Sequence, residues 1–194
     1  MHLLGEWMTD NAGLFRYAGE LQCMREEAKR ILLSGDSSVF LAPLFRTLYP
    51  QSTIIAASDD ASVIDEVASE VPDIVRGIIP FSKGVYENID IAVSVLSIET
   101  LETRELTQYL YSLHDSLTEG GNLYLSFPST DTFVYSPMKE EKAWWDESRS
   151  ILMKRYQGDD VIRALSMIGF GIKAAERDNL PDIGTVISIH AERK

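Results

Sequence analysis

Cysteine is nearly missing from this sequence. Cys23 is the only one in 194 residues, so no intramolecular disulfide can form. Histidine is almost as scarce, with His2, His114 and His190 the only three. One cysteine and three scattered histidines do not supply a Cys/His zinc set, and no metal is expected. Long apolar runs are also absent: none reaches the ~18 residues of a membrane span, and the opening Met-His-Leu-Leu-Gly-Glu has no basic segment ahead of an apolar one. The expectation is a cytoplasmic protein with no membrane partner. Positive charge is in short supply too, with 18 Lys and Arg against 30 Asp and Glu, a net charge of −12. Nucleic acids are gripped largely through clustered cations, so DNA and RNA are not expected partners. The densest basic stretch, Lys139, Lys142, Arg149, Lys154 and Arg155, alternates with Glu140, Glu141, Asp146 and Glu147 and reads as a solvated helix surface.

What is present is an ordinary globular balance, 45% apolar and 25% charged, in a length that suits one domain. Leu14, Tyr17, Leu21, Met24 and Ala28 recur at spacings of three and four and predict a helical cap over residues 1–30, ahead of a main unit over 31–194. Ile31-Leu-Leu33 reads as a short buried strand ending at Ser34-Gly35. Leu41, Leu44, Phe45 and Leu48 then mark one face of a helix that holds Pro43 in its first turn. Thr53–Ala57 is a second strand, and Asp60 is a fitting N-cap for the helix carrying Val63, Ile64, Val67 and Val71. Asp90 to Leu96 is another buried strand. Leu106, Leu110, Leu113 and Leu117 predict a helix stopped by a left-handed cap at Gly120-Gly121. Asn122–Phe127 is the next strand, and Asp160–Ile168 a helix stopped by Gly169.

Alternating strands and helices with short links imply a parallel sheet covered on both faces. The end departs from that rhythm. Ile172–Arg177 and Thr185–Ala191 are joined by Asp-Asn-Leu-Pro-Asp-Ile-Gly, a turn-rich link without a helix, which predicts an antiparallel hairpin. The fold class expected is therefore α/β: a Rossmann-like, seven-stranded, mostly parallel sheet with an antiparallel terminal strand inserted beside Asn122–Phe127, and helices on both faces.

Three stretches carry a family resemblance over roughly residues 27–194. Glu87-Asn-Ile-Asp-Ile-Ala-Val-Ser94 resembles the "FDxVxS" opening of strand four in the class I S-adenosylmethionine-dependent methyltransferases. Leu117-Thr-Glu-Gly-Gly-Asn-Leu-Tyr-Leu125 resembles their "LxPGGxLxL". Asp160 to Phe170 resembles the "xxLxxLLxxxGF" ahead of their terminal hairpin. The resemblance implies S-adenosylmethionine as cofactor and a small-molecule or protein acceptor as partner. Gly35, Asp36 and Ser37 would hold the methionine end, Ser58 and Asp59 the ribose, and Phe81 the adenine, with Ser94 closing strand four beside them. Tyr135, Trp144 and Trp145 would line the acceptor site, the alternative being a sheet-edge cap or a homodimer contact.

The chain departs from the family at its glycine-rich loop. Leu33 stands where an acid is usual, and Ser37 and Val39 replace two glycines. A β-branched Val39 suits a positive φ poorly, so weak cofactor binding is expected of a degenerate member. A catalytically inactive methyltransferase-fold protein serving as a binding or regulatory partner is the alternative function. No catalytic residue is singled out, since His114 falls on a helix flank and His190 in the last strand.

Overall fold

The computed structural model describes residues 28–80, 85–130, 138–143, 146–180 and 183–194. Of the helical cap expected over residues 1–30, residues 1–27 lie outside them, while Ala28 and Lys29 are not helical and Arg30 already begins the first strand. The strands are β1 (Arg30–Ser34), β2 (Thr53–Ala57), β3 (Val75–Gly77), β4 (Ile89–Val95), β5 (Leu117–Pro128), β6 (Lys139–Ala143), β7 (Asp146–Met153), β8 (Phe170–Leu180) and β9 (Gly184–Arg193). The helices are α1 (Asp36–Val39), α2 (Ala42–Leu48), α3 (Ala61–Glu70), α4 (Thr103–Ser116) and α5 (Gly158–Ile168), with a 3₁₀ turn at Ile98–Thr100.

Seven strands form one sheet in the order β3-β2-β1-β4-β5-β9-β8. The pairs from β3 through β5 are parallel. β9 runs antiparallel to both of its neighbours, β5 and β8. The expected terminal hairpin and its insertion beside β5 are thus observed.

Strand alternation sorts the apolar residues into two cores. Ile31 and Leu33 of β1, Ile54 and Ala56 of β2, and Ile91, Val93 and Val95 of β4 face one layer, where Val39, Phe45, Val63, Ile64 and Val67 meet them. Leu32, Ile55, Ala92, Leu123, Leu125 and Phe127 face the other, packed by Leu106, Leu110, Leu113, Val161 and Leu165. Burial on both faces explains why β1 and β4 read as continuous apolar runs.

Local signals explain the element ends. Asp60 caps α3 by accepting from the Ser62 N–H at 2.9 Å, and Pro43 sits in the first turn of α2. Asp90, the acid of the strand-four signature, accepts from the Lys29 and Arg30 N–H groups at 2.7 and 2.9 Å. It fastens the start of β4 to the start of β1, at the edge of the sheet opposite the crevice described below.

Three expectations are corrected. Helix α4 ends at Ser116, not at Gly120-Gly121: Leu117 is already extended and starts β5. Gly120 does take the left-handed conformation, with φ 76°, but in an irregularity of the β4–β5 pairing. Leu44, expected on the buried face of α2, is exposed. Most of the mixed-charge stretch read as a solvated helix surface forms the strand pair β6–β7 instead, and Lys154, just past it, is buried. Alternating Lys and Glu favour neither period, and cross-strand pairing decides the outcome.

Candidate functional site

β1 is followed in the chain by β2 on one side of it and neighboured by β4 on the other. At such a reversal of strand order the connections diverge and leave a crevice at the carboxyl ends. Gly35 stands there with φ 91°, and its N–H donates to the Ala57 carbonyl at 2.9 Å. A Cβ at this position would lie 2.1 Å from Ser97 Oγ. Only glycine permits both that φ and that contact.

The chain then makes the single turn α1, in which Ser37, Ser38 and Val39 are all buried. Ser38 Oγ accepts from the Val95 N–H at 2.8 Å, and Ser37 Oγ donates to the Leu96 carbonyl at 3.4 Å. Two hydroxyls therefore anchor the loop to the end of β4. Ser37 and Val39 take helical conformations, so no second positive φ arises in the loop and the expected strain at Val39 is avoided.

At the end of β2 the buried Ser58 donates to Asp36 Oδ1 at 2.5 Å and accepts from the Asp60 N–H at 2.9 Å. Asp36 and Asp59, which follow the ends of β1 and β2, are both exposed.

Beneath the crevice lies a dry polar cluster. Ser94 is fully buried, and Tyr109 reaches from α4 to place its hydroxyl 2.9 Å from Ser94 Oγ and 2.8 Å from Ser34 Oγ. Burial pushes the Tyr109 hydroxyl up to about 12, against the lowering effect of the two serines and with a further rise from Glu99. It is a neutral bridge between β1 and β4.

Beyond β4 the backbone is strained. Leu96 has φ 47°, uncommon for a residue with a side chain, and its N–H donates to the Ser126 carbonyl at 2.8 Å. The 3₁₀ turn follows and carries Glu99, which is 1% exposed. Desolvation raises its carboxyl to about 8, with its own backbone N–H and Arg155 acting in the opposite direction.

A second concavity lies on the same edge of the sheet, over the carboxyl ends of β5 and β8 and the start of β9. It encloses about 530 Å³, and Ser129, Thr130, Gln157, Asp159, Ile162 and Arg177 are among the residues lining it.

No family model matches the chain, and no curated protein matches it. Solved structures do. The chain is 14% identical to 1,6-didemethyltoxoflavin-N1-methyltransferase from Burkholderia thailandensis, solved with S-adenosylhomocysteine, over 96% of this chain and 80% of that one, with a TM-score of 0.68. It is 14% identical to an S-adenosylmethionine-dependent methyltransferase from Mesorhizobium loti, over 91% and 97%, with a TM-score of 0.65. The N-methyltransferase NodS from Bradyrhizobium japonicum, also with S-adenosylhomocysteine, matches at 11% identity over 95% and 86%, with a TM-score of 0.65. The fold is that of the class I methyltransferases.

On the methyltransferase fold, Gly35, Asp36, Ser37, Ser58 and Asp59 come together at the ends of β1 and β2. Ser94 sits one layer below, bound to Tyr109. Phe81, Tyr135, Trp144 and Trp145 lie outside the described residues. His114 packs edge-on against Phe170 at 5.2 Å and His190 stacks on Tyr124 at 4.6 Å, both in structural roles. Sequence reasoning passed over Tyr109, Leu96 and Glu99. Tyr109 was legible as a polar-tipped aromatic beside the leucine stripe of α4. Glu99 had no signal, being one acid among Glu99, Glu102 and Glu105.

Proposed function

We propose that this chain binds S-adenosylmethionine in the crevice between β1, β2 and β4 and transfers its methyl group to an acceptor held over β5, β8 and β9. The observation that carries this reading is the positive-φ Gly35 at the reversal of strand order, with exposed carboxylates, Asp36 and Asp59, following the ends of β1 and β2. The donor set fits the cofactor: Asp36 suits a cationic amino group and Asp59 suits a ribose diol. When bound, the cofactor supplies an electrophilic methyl group on a sulfonium. The protein contributes binding and orientation. Ser58 aims the Asp36 carboxylate, Ser37 and Ser38 hold the loop to β4, and Tyr109 with Ser34 and Ser94 fixes the floor. The resemblance adds Phe81 at the adenine and Tyr135, Trp144 and Trp145 at the acceptor. A cavity of about 530 Å³ suits a small molecule, which favours that class over a protein acceptor.

A second reading, a binding or regulatory protein that has lost the chemistry, is favoured by one observation: Asp36 already has a partner in Ser58. Calorimetric titration with S-adenosylmethionine and S-adenosylhomocysteine separates the two. Micromolar binding that weakens in Asp36→Ala and Asp59→Ala supports the enzyme. No heat with either ligand leaves the second reading.

A further inference from the structure

Tyr86 holds a single backbone residue at two points. Its hydroxyl accepts from the Ile78 N–H at 2.8 Å and donates to the Ile78 carbonyl at 2.6 Å. Burial pushes this hydroxyl up from its ordinary value, against the lowering effect of the bond to Ile78, so it keeps the proton it donates. The contact also dictates the residue before it. Gly77 has no positive φ, yet a Cβ there would collide with the Tyr86 hydroxyl. Glycine stands at this position to admit the tyrosine.

The sheet places this contact relative to the crevice. β3, β2 and β1 are consecutive strands, and their ends lie in a row: Gly77 pairs with Ala57, and the Ala57 carbonyl accepts from the Gly35 N–H. A cofactor with its amino group at Asp36 and its ribose at Asp59 runs outward along that row. Its base then arrives at the end of β3. Ile78, the first residue past that end, is 65% exposed.

We infer that Tyr86 sets the base specificity of the cofactor site: by taking up both polar groups of Ile78, it leaves the base to apolar contact and offers it no backbone edge to read. The inference rests on the methyltransferase reading above and deepens it at the base end. An adenine edge carries an acceptor ring nitrogen beside an amino donor, the pair that a free Ile78 N–H and carbonyl would match. The Tyr86 hydroxyl supplies the same pair, one acceptor and one donor, from within the chain. A hypoxanthine edge reverses the order, with a carbonyl beside a ring N–H. A site that reads the edge rejects the reversed one, because polar groups on both sides lose their partners. With Ile78 already satisfied by Tyr86, neither base gains or loses a bond there.

Calorimetry with S-adenosylhomocysteine and S-inosylhomocysteine, which differ only in that edge, tests this. The wild type should bind the two within about threefold of each other. Tyr86→Phe should open a preference of about tenfold for S-adenosylhomocysteine. Gly77→Ala should do the same, since it displaces the hydroxyl while keeping the tyrosine. A purely structural role for Tyr86 would weaken both ligands alike and leave their ratio unmoved. A wild-type preference beyond about threefold, or a Tyr86→Phe ratio that stays within it, overturns the inference and leaves the cofactor site standing. Should Tyr86→Phe fail to fold, Gly77→Ala decides in its place, and should both fail the wild-type ratio decides alone. No binding of S-adenosylhomocysteine to the wild type takes down the methyltransferase reading, and the inference with it.

Discussion

The Ser58 hydroxyl and the Asp36 carboxylate, 2.5 Å apart, join the carboxyl ends of β2 and β1 side chain to side chain. Asp36 is exposed and Ser58 buried, so one partner orients the other without removing it from solvent. Ser58→Ala should destabilise the fold by about 1 kcal/mol, read as a lower urea midpoint at unchanged slope. It should weaken S-adenosylhomocysteine binding less than Asp36→Ala does, since the carboxylate remains. Equal losses in the two variants would show that Asp36 acts only through Ser58.

Tyr109 bridges Ser34 and Ser94 in a layer closed to water. Tyr109→Phe keeps the ring and removes the bridge, leaving two buried hydroxyls to find other partners. A loss of about 1–3 kcal/mol in denaturant unfolding is expected. A variant as stable as the wild type would show that the cluster contributes nothing.

Glu99 makes stability depend on pH. Its carboxyl is held at about 8 in the fold against 4.5 without it. The folded state therefore keeps a proton that the unfolded chain releases between those values. The contribution is fully present below about 4.5, shrinks as pH rises, and is lost once pH passes about 8. Thermal melts from pH ~5.5 to ~8 should show stability falling with a slope of up to about 1.4 kcal/mol per pH unit from this group. Glu99→Gln should flatten that part of the curve. An unchanged slope in the variant would assign the effect elsewhere.

Restoring glycine to the loop should not improve cofactor binding. Ser37 and Val39 lie in the helical turn α1, and Val39 is wholly buried. Val39→Gly should cost about 2–3 kcal/mol through lost burial and backbone freedom. Affinity for S-adenosylhomocysteine should not rise, and a tenfold gain by calorimetry would show that loop sterics limit binding.

The fold was legible because its signals are local and repeated. Ile31-Leu-Leu33, Thr53–Ala57 and Ile91–Val95 are apolar on both faces, and Asp60 and Gly169 mark element boundaries by their backbone chemistry. The helix-free link before β9 disclosed the one antiparallel strand. The site was legible only where it coincides with strand ends, at Gly35, Asp36, Ser58 and Asp59. Tyr109, Ser34 and Ser94 meet across 75 and 15 residues of sequence, and no local pattern announces a bridge of that kind. The hairpin β6–β7 was misread because its charges carry no period. Val39 was misjudged because a family glycine was taken to mark a positive φ that this loop does not adopt.

The insertion of β9 also makes two strands depend on one. β8 pairs with β9 and with no other described strand, and β9 alone connects it to β5. A ribosome releases β8 first. Until β9 follows, β8 has no described strand to pair with, and the edge of β5 at Asn122–Pro128 has no partner either. A chain cut short before Gly184 would therefore carry an open sheet edge that the full chain covers.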